Sequence, residues 1–379
     1  MTENRNESEL GQKVYAAWLD TIYWLTSETK YRLLDAAGSV QGIYGMAEGQ
    51  LAVLMGLQGC ERFLQHRKRY KPQKVWNYLM ETGVSYTYCQ ASDFPCKLTQ
   101  IPDPPFGIFY KGRLPDGKIP SVAIIGARKC SEYGRLMAEK FASGFAGCGI
   151  DVISGMAMGI DGISQAAALA SGGCSYAVLG CGVDIVYPRS NGQLYRQLLE
   201  SGGVLSEYPP QMEPRPALFP PRNRIISALA DVVLVVEARE KSGTLITVDM
   251  ALEQGKEVYA VPGRCTDSLS MGCNHLIRQG AAVAVAPEDI IHDMRWENVI
   301  KKPEKQPHGQ RPGKLSQAAW EVYAVLEMLP IAQDMIVERL REKKSTCTIP
   351  QICQGLVELE LKGYVICRNR QYGRLQNDL

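Results

Sequence analysis

Metal-site spacing is missing from this sequence. Its 379 residues include twelve cysteines, yet no Cys-x-x-Cys pair and no cysteine–histidine cluster. That excludes the usual zinc sites. Thiols in apolar settings, such as Cys148, Cys174 and Cys181, read as reduced core residues of a cytoplasmic protein. No apolar run approaches the ~18 residues that a membrane span requires. The first ten residues carry Glu3, Glu7 and Glu9, at odds with a secretory signal or transit peptide. An excess of one charge is also missing. The 42 basic and 40 acidic side chains leave +2, which excludes a strongly basic nucleic-acid coat but not a local cationic cleft. Catalytic patterns are absent as well: no Ser-His-Asp arrangement, no paired carboxylates and no His-Glu-x-x-His. The four histidines, His66, His275, His292 and His308, lie away from every expected strand end.

What is present is a change of pattern along the chain. Residues 1–84 read as short helices, with apolar residues at helical spacing in 14–25, 31–37, 46–54 and 75–79 and glycines between them. Residues 85–118 are polar and proline-rich, the pattern of an extension or loop. Residues 119–292 alternate strand and helix. Strands are predicted at 122–125, 152–154, 175–179, 204–206, 232–236, 258–261 and 282–285. Helices are predicted at 132–146, 160–170, 192–200, 224–230, 245–254 and 271–279. Short apolar strands alternating with helices imply a parallel, doubly wound, Rossmann-like sheet covered on both faces. Residues 293–314 read as a linker. Residues 315–379 read as three helices and a terminal hairpin, which suggests a winged-helix domain.

Sheets of this kind bind ligands beyond the carboxyl ends of their strands. The first strand is followed by Gly126, Ala127, Arg128 and Lys129 ahead of a helix. A glycine lets a ligand approach the backbone, a helix start favours phosphate, and Arg128 adds a bidentate contact. Only Gly126 fits Gly-x-Gly-x-x-Gly, so a nicotinamide cofactor is not expected, nor is any other. The second strand ends in Ser154 and Gly155, with Asp161 read as a helix cap. After the third come Tyr187, Arg189 and Asn191; Tyr187 reads equally as a stacking face for a base or as core. Further on, Arg222 and Arg224 flank Asn223 at an expected helix start. Paired cations oppose the helix dipole there, and an anion between them would remove the conflict. Ser242, Gly243 and Thr244 open another helix, either as phosphate ligands or as a tight turn. Residues 119–290 carry 14 basic and 17 acidic groups, so a polyanion must meet a focused site rather than a general field.

The ordered runs VAIIGAR at 122–128, SGMAMGID at 154–161, FPPRNRII at 219–226, SGTLIT at 242–247, AVPG at 260–263 and NHLI at 274–277 resemble the DNA-processing protein A (DprA/Smf) family. The resemblance extends to a SAM-like helical domain before them and a winged helix after them. It implies a non-catalytic single-stranded DNA-binding protein that protects incoming DNA in natural transformation and helps load the RecA recombinase. It also implies a homodimer through the Rossmann-like domain. The DNA contacts of the family fall on Arg128, on Arg189 and on Arg222, Asn223 and Arg224. Two departures stand out. Ala127 replaces a serine or threonine, and Ser164-Gln165 replace alanine-histidine, with Gln165 placed to keep a hydrogen bond. Two other readings compete. A nucleotide-processing phosphoribohydrolase would need a glutamate in the loop that here reads Gly243, Thr244, Leu245. A winged-helix regulator of duplex DNA would need a basic third helix, and here that helix carries Glu358 and Glu360.

Overall fold

The computed structural model describes residues 2–300, 315–326, 330–343, 345–368 and 370–374. The chain divides into two compact units. The larger begins with helices α1 (Thr2–Asp20), α2 (Ser27–Ala37), α3 (Val40–Gly45), α4 (Glu48–Arg69) and α5 (Pro72–Glu81). Their ends follow local chemistry. Thr26 caps α2 by accepting from the Thr29 N–H, and Gly38 closes it in the left-handed region at φ 71°.

Nine strands follow: β1 (Ser85–Tyr88), β2 (Gly107–Gly112), β3 (Ser121–Ile125), β4 (Asp151–Ser154), β5 (Ser175–Val178), β6 (Gly202–Ser206), β7 (Val232–Val235), β8 (Glu257–Ala260) and β9 (Ala282–Val283). Between and after them run α6 (Glu132–Gly147), α7 (Ile160–Ala170), α8 (Gly192–Glu200), α9 (Phe219–Leu229), α10 (Gly243–Glu253), α11 (Met271–Arg278) and α12 (Pro287–Asp293). The strands form one sheet in the order β1-β2-β6-β5-β4-β3-β7-β8-β9. Strands β3 to β9 are parallel, and β1 and β2 are antiparallel additions beside β6.

Seven strands were expected and all seven are found. The proline-rich stretch is the correction: 85–118 contains β1, a 3₁₀ turn at Cys96–Gln100 and β2, so the sheet is mixed. In β2, Ile108 packs into the core on one face and Phe109 into the core on the other. The same alternation runs through β5, where Tyr176 and Val178 face α9 and Ala177 and Leu179 face the opposite core. That second core also contains Trp18, Leu33, Leu51 and Phe63, so helices α1 to α5 share it with the sheet. The expected linker also starts later than its pattern indicates, because Trp296 is buried. Its remainder, 301–314, lies outside the described residues.

The smaller unit contains α13 (Gln317–Val325), β10 (Ile331–Ala332), α14 (Gln333–Glu342), α15 (Ile349–Leu361), β11 (Val365–Arg368) and β12 (Gln371–Arg374). Its three strands pair in the order β10-β12-β11, and Val322, Ile336, Leu356 and Leu359 fill its core. Among the described residues, no helix is long and apolar enough to cross a membrane.

Candidate functional site

Strand order runs outward in both directions from the β3–β7 pair, from β3 towards β6 and from β7 towards β9. Loops diverge at such a switch point and leave a crevice at the carboxyl ends. A cavity of about 610 Å³ occupies it. One wall is the turn after β3, with Gly126, Arg128 and Lys129. A second is Arg239 and the start of α10, with Ser242, Gly243 and Thr244. The third is the first turns of α9, with Phe219, Arg222 and Asn223, next to Tyr187.

Arg128, Lys129 and Arg239 are exposed and make no ion pair among the described residues. Tyr187, 42% exposed, stacks on Phe219 with ring centroids 5.5 Å apart. The Arg128 and Arg222 guanidinium carbons lie 5.7 and 5.9 Å from the Phe219 ring centre. Two cations thus flank one aromatic platform. At α10, Ser242 occupies the N-cap position without capping, and its buried Oγ has no hydrogen-bond partner among the described residues. Gly243 opens onto free space. The first N–H groups of a helix have no partners within it, so hydroxyl and amides present a donor set suited to an anion.

Arg222 is only 5% exposed. It donates from Nη1 to the Gly155 carbonyl at 3.0 Å and to the Val178 carbonyl, and from Nε to Asn223 Oδ1 at 3.2 Å. Burial lowers its pKa to about 10, the nearby Asp161 charge works against that shift, and the like charge of Arg128 adds to it. It therefore stays protonated at neutral pH. Asp161 is the one carboxylate lining the cavity among the described residues. Burial raises its pKa, the Arg222 charge pulls it back, and its Oδ2 accepts from the Gly155 N–H at 3.2 Å.

Gly126 and Gly155, expected to leave backbone open for a ligand, both border cavities and have a further role. A Cβ on Gly155 would sit 2.7 and 2.8 Å from the Arg222 guanidinium nitrogens and 2.8 Å from Asp161 Oδ2. On Gly126 it would sit 2.7 Å from Ile160 Cγ1. Both glycines make room for the protein's own side chains. Gly155 also borders a small adjoining pocket with Arg128 and Arg222.

The expected anion between Arg222 and Arg224 is corrected too. Helix α9 begins at Phe219, so these arginines are its fourth and sixth residues. Two helical steps turn a side chain by roughly 200°. Arg224 points away from the cavity, with Nε 2.8 Å from Asp103 Oδ2 and Nη2 2.8 Å from Glu207 Oε1.

Three other expected residues stand behind or beside the cavity. Ser154 is buried and donates to the Ile124 carbonyl at 2.7 Å. Asn191 donates to the Met156 and Ala157 carbonyls at 3.0 and 3.3 Å, bracing the turn after β4. Arg189 is exposed and outside the lining. Gln165 keeps its hydrogen bonds: it accepts from the Met156 N–H and donates to the Tyr176 carbonyl, both at 3.0 Å. Sequence reasoning missed Arg239 and Phe219. Arg239 follows β7 and was within reach of the strand-end rule. Phe219 lies in a proline run that gave no helical signal.

Residues 85–295 match the family model described as DNA recombination-mediator protein A. Protein Smf of Escherichia coli is 35% identical over 332 residues, covering 84% of this chain and 85% of that protein. The X-ray structure of DNA processing protein A from Streptococcus pneumoniae is 33% identical with a TM-score of 0.66, covering 74% of this chain and 97% of that one. A structure of DNA processing protein A from Helicobacter pylori, described for its single-stranded DNA binding mode, is 28% identical with a TM-score of 0.51 and covers 56% of this chain and 97% of that one.

Proposed function

The chain belongs to the DNA recombination-mediator protein A family, and from that premise we propose that it binds single-stranded DNA at the β3–β7 crevice and hands the strand intact to the RecA recombinase. One observation carries the reading. Three cations that make no ion pair among the described residues, Arg128, Lys129 and Arg239, line the same cavity as the Tyr187–Phe219 stack at the start of α9 and the first turn of α10. That combination matches a phosphodiester with a base beside it: charge and amides for the phosphate, a ring face for the base.

In this reading Arg128 and Lys129 contact phosphate, and Ser242, Gly243 and Thr244 take a second phosphate oxygen. Asn223 meets the sugar or base, and Tyr187 stacks. Gly126 and Arg222 form part of the crevice wall, and Ser154, Gly155 and Asn191 shape it from behind. Arg189 extends it along the strand, and Arg224 fixes the position of α9. The bases stay unread and the strand uncleaved, as suits a mediator of recombination in the cytoplasm, with or without natural transformation. The helical segment 1–84 acts as a SAM-like domain and 315–379 as a winged helix, with 85–118 and 293–314 joining them to the Rossmann-like domain at 119–292. That central domain also forms the homodimer. On α15 the exposed Val357, Glu360 and Leu361 favour contact with a protein partner over a phosphate backbone.

Fluorescence anisotropy with labelled oligothymidylate tests the binding. Arg128→Ala is expected to weaken it about tenfold and to lower the salt slope by about 1. A duplex competitor that displaces the strand at equal concentration contradicts the proposal. RecA filament formation on single strands coated with a single-strand-binding protein tests the hand-over, and light scattering tests the dimer.

A further inference from the structure

A second cavity in the larger unit, about 560 Å³, lies between the helices and the loop that joins β6 to α9. Its helical wall carries Tyr23, Trp24, Tyr70 and Tyr78, and its cations are Arg69, Lys71, Lys74 and Arg215. Tyr23 is 52% and Tyr70 40% exposed. The four cations are exposed and make no ion pair among the described residues. Against them the lining has a single carboxylate, Glu213.

The opposite wall is a preformed turn. Gln211 adopts a positive φ of 64°, its N–H donates to both oxygens of Asp184 at 2.9 and 3.0 Å, and its Nε2 donates to the Tyr78 hydroxyl at 2.6 Å. The same loop borders both cavities, because Arg215 lines this one and its neighbour Pro216 lines the β3–β7 crevice. Burial lowers the pKa of His66 to about 4, so this imidazole is neutral at physiological pH and adds nothing to the charge of the lysines and arginines.

We propose that this groove is a second base-stacking subsite for the same single strand, which leaves the crevice past Pro216 and Arg215 and lays a base on Tyr23. The inference rests on the crevice as the first subsite. Cations without ion pairs around an open aromatic face suit a polyanion with flat bases, since stacking tolerates any base and the phosphates supply the charge. Trp24 already carries the Arg62 guanidinium 4.2 Å from its ring centre, and Tyr70 packs on His66 at 4.6 Å. Tyr23 is therefore the platform available to an incoming base.

The test compares oligothymidylates of about six and about twenty nucleotides, the first short enough for one subsite. It uses the full chain, with thermal unfolding to confirm that each variant folds. Tyr23→Ala and Lys71→Ala/Lys74→Ala are expected to weaken the long oligomer about tenfold and leave the short one unchanged. Arg128→Ala is expected to weaken both. An Arg128→Ala loss without any groove-variant loss on the long oligomer overturns the second subsite and leaves the first standing. No Arg128→Ala loss on either length removes the first subsite itself. Photocrosslinking of 5-iododeoxyuridine in the long oligomer gives an independent readout, with adducts expected on Tyr23. A groove that takes a proline-rich peptide or free thymidylate while the long oligomer leaves Tyr23 unmarked also overturns it.

Discussion

The two ends of the central strands handle charge in opposite ways. At the carboxyl ends, Arg128, Lys129 and Arg239 are exposed and, like Ser242 Oγ, have no polar partner among the described residues. At the amino ends, Lys97 sits 2.7 Å from Asp231, whose Oδ2 accepts from the Ser121 N–H and hydroxyl at 2.9 and 3.1 Å. The joint between helices and sheet is equally closed. Lys30 meets Asp20 at 2.8 Å, Tyr86 donates to Asp20 at 2.6 Å, and Arg224 spans Asp103 and Glu207. Polar groups that hold a fold together satisfy one another, whereas those left unsatisfied around a cavity await something from outside.

The sharpest way to break this contrast is inside the joint. Lys30→Met leaves the buried Asp20 carboxylate without its cation and is expected to cost about 3–5 kcal/mol in urea unfolding, with DNA affinity of the folded protein unchanged. A mild effect would place that pair with the exposed charges. Asp151 is next, because it is an orphan at the closed end. Its Oδ2 is buried without a partner among the described residues, and burial lifts its pKa to about 7 despite Lys97 and Arg113. The folded state then binds more protons than the unfolded one between about pH 4 and 7, so stability falls as pH rises through that interval. Asp151→Asn is expected to flatten that slope and to add on the order of 4 kcal/mol above pH 7. A lacking partner thus marks an acid that burial keeps protonated up to about pH 7, rather than an anion site.

Smaller effects sharpen the comparison along α9. Arg224→Ala is expected to cost about 1–2 kcal/mol of stability, with strand affinity intact. Arg239→Ala is expected to leave the unfolding midpoint within about 0.5 kcal/mol and to weaken strand binding a few-fold, read by anisotropy at low salt. A reversed pair of outcomes would exchange the roles of the two arginines.

Much of this was legible in the residues. The parallel strands are short apolar runs bounded by turns, and some of the residues beyond their ends, Arg128, Lys129, Arg222 and Asn223 among them, line one cavity at the switch point, while Arg189 and Arg224 do not. β2 was hidden because it lies between Pro104-Pro105 and Pro115, and β1 because its Ser-Tyr-Thr-Tyr carries none of the aliphatic residues that mark the parallel strands. The split between Arg222 and Arg224 was hidden because it depends on α9 starting at Phe219, five residues before its helical pattern. The use of Gly126 and Gly155 was hidden for another reason: what a Cβ would strike there belongs to side chains brought in by tertiary packing. The pairing of Lys30 with Asp20 joins two helices across a turn, and helical spacing does not report it.

A structure of the protein with a short oligothymidylate tests the central claim most directly. The account predicts a phosphate held by Arg128 and the first turn of α10, with a base on the Tyr187 ring. A strand bound elsewhere, with that crevice empty, would contradict it.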